Sequence, residues 1–414
     1  TWNYRSTNNI IQVANQLIEH NHDRMKGEHS IEIDESRRMY QSGGNWEIIE
    51  PCHGRVVIQA CHNVAQQAGE VLRHIRLIQE KDPNCPLKKI AILARQGIEK
   101  EELIWVRSVL HDAEIPYCYN LDRDSSFPIH RCREIVQYRA WVQSCGFTPM
   151  TPKELASPLP PFELANRWQQ LLHELITQWK DNQGDISLPA SHFEFFLAEY
   201  FNEQRRQIRF GNGILLSTVH GVKGEEFEHV IILDGAWQSA IEKNSAALEE
   251  ERRVFYVAMT RAISRLVIMQ RQDQTHPHIP LLSDFLHYET PKAPTPEKLR
   301  RFGCLGMRQL DISYAGAHPA NHPIHNKLNS IKTNVHVRLE HDTKKNIKIV
   351  HDNDQIAQLS RSGQREWESK LLRIKNANIM AIIQRSKDQE QEEYKGRAQV
   401  DNWELPIIHF EYEE

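Results

Sequence analysis

Two segments carry most of the residues in this chain that could handle a phosphate and a nucleic-acid strand: Ser217–Phe227, STVHGVKGEEF, and Glu249–Ala262, EEERRVFYVAMTRA. In the first, Gly221 and Gly224 permit tight backbone geometry, so amide groups can come close to a phosphate or a sugar. Thr218 and His220 add hydrogen-bonding side chains, and Glu226 could accept from a ribose hydroxyl. In the second, Arg261 falls near the end of a helix with an acidic start. A third segment, Asn3-Tyr4-Arg5-Ser6-Thr7, precedes a helix. Tyr4 offers a flat face for base stacking, and Arg5 a planar fork for phosphate oxygens.

Each feature also has a plainer explanation. Glycines relieve strain in any βα turn. Arginine near a helix carboxyl end, and Glu249, Glu250 and Glu251 near its amino end, suit the macrodipole alone. The order of strand, glycine loop, strand, acidic helix and arginine is what lifts the set above those explanations.

The surrounding pattern supplies elements to position these residues. Ile10, Ile11, Ala14, Leu17 and Ile18 recur at helical spacing, with Ser6 or Thr7 placed to cap. Arg55–Cys61 and Lys89–Arg95 read as strands, each followed by an amphipathic helix, the first opened by Asn63. The rhythm returns with strands at Ile214–Val219, Val230–Leu233 and Leu266–Met269. Alternating strands and helices predict a parallel sheet covered on both faces, with ligand loops at the carboxyl ends of its strands. Residues 121–210 read as a mostly helical block broken by prolines. Its aromatics Trp141, Phe147, Phe162, Trp168, Trp179, Phe193, Phe195 and Phe196 read as helix core, and Arg205, Arg206 and Arg209 as a solvated basic face. His276–Pro296 is rich in proline and threonine, and residues 276–300 read as a linker. Beyond them, Val335–Leu339, Asn346–Val350, Gln355–Leu359, Ile379–Ile383 and Ile407–Phe410 read as strands of a small barrel or meander, and Trp367–Ile374 as a helix.

With 414 residues the chain can hold two or three domains. Its net charge of −4 provides no bulk attraction for nucleic acid, so any such binding must use a local groove. The seven cysteines include no CxxC pair and read as reduced thiols in a cytoplasmic protein. No apolar run is long enough for a bilayer, so no membrane partner is expected. His318, His322 and His325 have a spacing a metal could use, but two precede proline and no cysteine is near. A connecting loop is the better account, and no metal site is expected.

These three segments, in this order, resemble the second motor domain of UvrD/Rep-type superfamily 1 DNA helicases, bacterial enzymes of DNA repair. NYRST is similar to that family's motif IV, TVHGVKGEEF to motif V and EEERRVFYVAMTRA to motif VI. The segment IAILARQGIEKEELIWVRSVLHDAEIPYCYN is similar to the stretch before the family's inserted domain. The resemblance covers about residues 1–120 and 211–270. It implies an α/β fold of RecA-like, P-loop-NTPase type with a helical insertion, plus a small β-rich C-terminal domain. The expected domains are a motor domain at 1–120 and 211–275, a reduced insertion at 121–210, a linker at 276–300 and a barrel-like domain at 301–414. The tail from about Leu305 resembles that of some large bacterial RecQ-type proteins.

The resemblance also implies roles. Tyr4 would stack on the adenine of ATP, Arg5 and Arg261 would reach its γ-phosphate, and Glu226 would hold the ribose. Thr218 and His220 would line the path of single-stranded DNA, in a groove indifferent to sequence. No GxxxxGK[ST] occurs in the chain, and it begins with Thr1, downstream of where the resemblance would place the DExx carboxylates. The expectation is therefore the carboxyl-terminal half of an ATP-dependent DNA helicase of 3′→5′ polarity. A missing N-terminal motor domain would mainly hold ATP and Mg2+, and the chain alone would be inactive. The competing expectation is a non-catalytic nucleic-acid-binding or scaffold module that kept the fold.

Overall fold

Eight strands of one sheet are drawn from both halves of the chain. The computed structural model describes residues 2–3, 6–22, 32–33, 56–120, 127–203, 209–240, 245–389 and 396–412. These fall into two units: residues 1–120 with 209–300, and residues 121–208 with 301–414.

In the first unit, helix α1 (Asn8–Glu19) is followed by β1 (Val56–Cys61), α2 (Val64–Lys81), β2 (Ile90–Ala94), α3 (Glu101–Asp112) and β3 (Tyr117–Asn120). Chain re-entry supplies β4 (Arg209–Gly211), β5 (Ile214–Thr218), β6 (Phe227–Ile232), α4 (Ser245–Met259), β7 (Ala262–Arg271) and β8 (His287–Glu289). The sheet order is β8-β1-β7-β6-β2-β5-β3-β4. Every pairing is parallel except β3 with β4.

The strands are apolar on both sides because both faces are covered. Val56, Ile58, Ala91, Leu93, Val230, Ile232, Leu266 and Ile268 join a core with Ile10, Leu17 and Phe255 from α1 and α4. The alternate residues Val57, Ile92, Ile231 and Val267 are buried as well, and α2 packs against β1 and β7. Asn63 caps α2 by accepting from Gln66 N, as its position after the first strand predicts. Thr7 occupies the cap position of α1 without a side-chain cap bond.

The expected linker at 276–300 is corrected by this sheet. His287–Glu289 is its edge strand, paired with Val57–Gln59. The following residues are held by polar side chains that hydrophobic patterning does not reveal. Glu70 is fully buried and accepts from Lys292 N and from Ala293 N at 2.6 Å. Arg73 donates to Glu70 at 2.6 Å and to Glu289 at 2.8 Å. Gly69 lets the chain lie directly on α2, since a Cβ there would sit 2.6 Å from the Pro294 carbonyl oxygen.

The second unit joins the helical block to the carboxyl-terminal residues. Strands β9 (Arg301–Leu305), β14 (Asn402–Tyr412) and β13 (Ile374–Ser386) form one antiparallel sheet in that order, and β10 (Arg338–His341), β11 (Ile347–His351) and β12 (Asp354–Gln358) form another. The second of these sheets, β10-β11-β12, is the meander alternative of the expectation, while the described strands form two three-stranded sheets rather than one barrel. The block and the tail were also expected to be separate domains. Instead Arg133 donates to the Leu328 and Ile331 carbonyls at 3.0 and 2.8 Å, and Trp168 Nε1 to the Met380 carbonyl at 3.0 Å. The expected helix at Trp367–Ile374 is shifted: Arg361–Trp367 is α-helical, Glu368–Arg373 is a 3-10 turn, and Ile374 starts β13. Of the aromatics read as core, Trp168, Trp179 and Phe193 are buried, whereas Phe147, Phe162 and Phe195 are exposed.

Candidate functional site

The glycine loop does not stay at one end of the sheet. Thr218 ends β5 and pairs with Ala94 at the carboxyl end of β2. Phe227 starts β6 and pairs with Ala262 at the amino end of β7. Residues 219–226 therefore run from the carboxyl edge to the amino edge, roughly 15–20 Å at about 3.3 Å per strand residue. This corrects the reading that placed the whole loop at the carboxyl edge. The return is short because Val219 and Val222 bury themselves in the core, and Val219–Val222 packs on α4 as a 3-10 turn.

At the carboxyl edge Thr218 Oγ1 accepts from Gly221 N at 3.2 Å, closing the turn that presents the exposed His220. A Cβ on Gly221 would lie 2.5 Å from Ser217 Oγ, so a larger residue there would have to turn the Ser217 hydroxyl aside. Gly224 has φ +85 with open space around it, so there glycine serves the left-handed backbone alone.

At the amino edge Arg261 closes the loop onto α4. Its Nε donates to the Val257 carbonyl at 3.2 Å and its Nη1 to the Glu225 carbonyl at 3.0 Å. The plainer account of Arg261, a cation capping its own helix, is thus partly realised. The bond to Glu225 goes beyond it and joins the second segment to the first. Phe227 N donates to the Arg261 carbonyl at 2.9 Å, so main chain and side chain grip the loop together. Glu226, the expected ribose ligand, is half-buried beside this junction.

Glu225 is the residue that sequence reasoning missed. Its carboxylate pairs with Arg209 of β4, while its carbonyl receives Arg261. Arg209, read as part of a solvated face, is therefore a loop anchor; Arg205 and Arg206 lie outside the described residues. No spacing rule singles out Glu225 over Glu226, because its main-chain bond depends on the loop's path.

Tyr4 and Arg5 also lie outside the described residues. Shortly after them, the Thr7 N–H donates to the Ile263 carbonyl at 2.9 Å. Arg5 lies two positions before Thr7 along the chain, and Arg261 two positions before Ile263.

Helix α4 is itself pinned at three acidic or basic positions. Glu249–Glu251 were read as an acidic helix start, but α4 begins at Ser245 and its first turn holds no acid. Glu251 instead takes a two-pronged ion pair from Arg95, at 2.7 and 2.6 Å, and this bond is the main reason the guanidinium holds its proton more tightly. Arg252 is buried and donates to the His20 carbonyl at 2.9 Å, and Asn21 Nδ2 donates to the Glu249 carbonyl at 3.1 Å. Burial pushes the Arg252 pKa down. Past β6, burial raises the Asp234 carboxyl to about 6 against its bonds from Arg271 N and Gln274.

His318 and His322 stack with ring centroids 4.1 Å apart, and His322 Nδ1 caps the short helix at Ile324 N, as befits a connecting turn. Among the described residues, Asp82, Cys85 and His229 bring potential ligand atoms within 4.8 Å of one another. Within this group His229 Nε2 and Asp82 Oδ2 are 3.3 Å apart. Among the described residues no helix is long and apolar enough to cross a membrane.

A helix-covered, mostly parallel sheet whose glycine loop is gripped by the arginine after the adjacent helix places the first unit in the α/β class. The chain belongs to the UvrD-like helicase C-terminal domain family, whose model matches residues 1–139 and 161–273. It is 24% identical over 338 residues to DNA helicase II of Escherichia coli, covering 64% of this chain and 46% of that protein. The same identity and coverage hold for DNA helicase II of Salmonella typhimurium. It is also 35% identical over 107 residues to YjcD of Bacillus subtilis, covering 22% of this chain and 14% of that one. The chain spans about half the length of the DNA helicase II relatives.

Proposed function

We propose that this chain supplies the second motor domain of an ATP-dependent DNA helicase or translocase that tracks single-stranded DNA with 3′→5′ polarity in the bacterial cytoplasm. A partner motor domain carrying the P-loop and DExx carboxylates would mainly hold ATP and Mg2+. The observation that carries this reading is the path of residues 218–226 between the two edges of the sheet, gripped at the amino edge by Arg261.

Arg261, with Glu226 beside it and Arg5 two residues from the Thr7 anchor, suits an anionic sugar-phosphate. ATP bound there supplies a phosphoryl group whose developing charge these guanidiniums would stabilise. Glu226 would accept from the ribose, and Tyr4 would stack on the base. At the other edge, Thr218 and His220 would meet the DNA strand. Because Arg261 grips the loop through Glu225, a change in its engagement would be felt at the turn of Thr218. Differential contacts in open and closed clefts are what could drive stepping. Retention of Glu226 and Arg261 in this arrangement argues against a passive scaffold.

The test uses the full-length protein. Arg261→Ala should lower DNA-stimulated ATP hydrolysis at least 10³-fold, the lower range for a charge-stabilising arginine. Arg261→Lys should recover little, since one ammonium cannot span two carbonyls and a phosphate. Near-normal turnover in either variant contradicts the reading. The 414-residue chain by itself should hydrolyse no ATP.

A further inference from the structure

Three potential ligand atoms of different kinds meet at the amino edge of the first unit's sheet. They belong to the Asp82 carboxylate, the Cys85 thiol and the His229 imidazole, and all lie within 4.8 Å of one another. We propose that these three residues bind Zn2+, with water completing its shell, as a clip between the α2–β2 connection and β6. The site is separate from the glycine loop and independent of the motor reading.

Local sequence builds two of the ligands into one turn. Asp82 follows α2 as its cap residue, with its N–H on the Ile78 carbonyl at 2.7 Å. Cys85 N donates to the Asp82 carbonyl at 3.0 Å, closing the turn Asp82-Pro83-Asn84-Cys85. Proline at the second position supplies the φ such a turn needs. Ile90, the first residue of β2, then pairs in register with His229 of β6. The third ligand is therefore set by the sheet, and its side chain is 1% exposed.

The geometry suits a tetrahedral ion. Zn2+ takes nitrogen, oxygen and sulfur ligands at about 2.0–2.3 Å, so its neighbouring ligand atoms stand about 3.3–3.8 Å apart. His229 Nε2 and Asp82 Oδ2, at 3.3 Å, already span one such edge. The half-buried Cys85 thiol makes a long 3.7 Å contact with the Pro86 carbonyl, which rotation about Cα–Cβ can exchange for the ion. A plain histidine–aspartate bond accounts for two of the three groups and gives no reason for the thiol beside them. Hydrophobic packing gives none either, since Cys85 is not among the buried core residues.

Charge favours a cation at this place. The turn stands at the carboxyl end of an 18-residue helix, the negative end of its dipole. Glu228 adds a second carboxylate close enough to act electrostatically on both Cys85 and His229. Against these stand Lys89 and the buried Arg265, whose Nη1 lies 3.3 Å from His74 Nδ1. The donor set then selects the ion. Sulfur and nitrogen ligands disfavour Mg2+ and Ca2+, which take oxygen, and suit Zn2+. Three protein ligands leave the fourth position to water, which the half-buried Asp82 and Cys85 admit.

The test adds Co2+, a spectroscopic stand-in for Zn2+, to the metal-stripped full-length protein and to its Cys85→Ser and Asp82→Asn variants. Circular dichroism confirms that each is folded. The parent should take up one more equivalent than Cys85→Ser and show a near-ultraviolet thiolate-to-cobalt band, which Zn2+ abolishes by displacement. Cys85→Ser should lack that band. Asp82→Asn should bind Co2+ at least about 100-fold more weakly, since even a hydrogen-bonded neighbour of a ligand is worth about 10–100-fold. A band that survives in Cys85→Ser, or a parent that takes up no more Co2+ than that variant, overturns the proposal. So does unchanged affinity in Asp82→Asn. None of these readings depends on ATP hydrolysis, so failure of the motor reading stays distinguishable.

Discussion

Replacing Glu251 with alanine should destabilise the first unit by about 2 kcal/mol. The estimate follows from where the ion pair with Arg95 sits, with side chains 27% and 10% exposed. Fully exposed pairs contribute under about 1 kcal/mol, and removing one partner of a buried pair costs about 3–5 kcal/mol. A half-buried pair with two short bonds falls between those limits. For a unit of this size about 2 kcal/mol corresponds to a melting shift of roughly 4–8 °C. The assay is thermal unfolding of the single variants Arg95→Ala and Glu251→Ala and of the double variant. Their double-mutant cycle should return a coupling energy of about 1–2 kcal/mol. Because α4 ends at Arg261's anchor, Glu251→Ala should also lower ATP hydrolysis in the full-length protein. A coupling energy under about 0.3 kcal/mol would refute the claim that this pair holds α4 against β2.

Glu70→Ala should release the edge of the same sheet. It leaves two amides and Arg73 without their buried partner, a loss of about 3–5 kcal/mol, and hydrogen exchange should show β8 deprotected ahead of β6. Unchanged protection of residues 287–293 would contradict this. The pH dependence of stability should reveal the buried imidazoles, among them His278, which is 0% exposed and pushed down to about 4 by burial. A depressed imidazole binds fewer protons folded than unfolded, so its contribution is lost as pH falls below about 6.5. From pH 7 to pH 5 that loss is about 2 kcal/mol for one histidine. His278→Leu should flatten the stability curve over this window by that amount, as measured by urea unfolding, and a curve as steep as the parent's would contradict it.

What could be read from the sequence was whatever hydrophobic period and punctuation control. Strands β1, β2 and β6 and the cap at Asn63 were legible because buried parallel strands are apolar runs bounded by turn residues. The glycine loop and Arg261 were legible as motifs. Illegible were features made by polar side chains meeting distant main chain. Glu70 clamps Lys292 and Ala293 across more than two hundred residues of sequence, so a proline-rich stretch that looked like a linker became a sheet edge. Arg133 and Trp168 join the helical block to the tail in the same way. Glu225 was passed over for Glu226 because only the loop's crossing of the sheet exposes its carbonyl to Arg261.

That crossing makes the most direct test possible. In the full-length protein, the affinity for single-stranded DNA would be measured with and without a non-hydrolysable ATP analogue, in the parent and in Arg261→Ala. If residues 218–226 link the two edges, the analogue should change the parent's DNA affinity by at least about 5-fold. In Arg261→Ala the ratio should fall to about one. A ratio that survives loss of Arg261, with the analogue still bound, would show that the nucleotide and DNA edges communicate by another route.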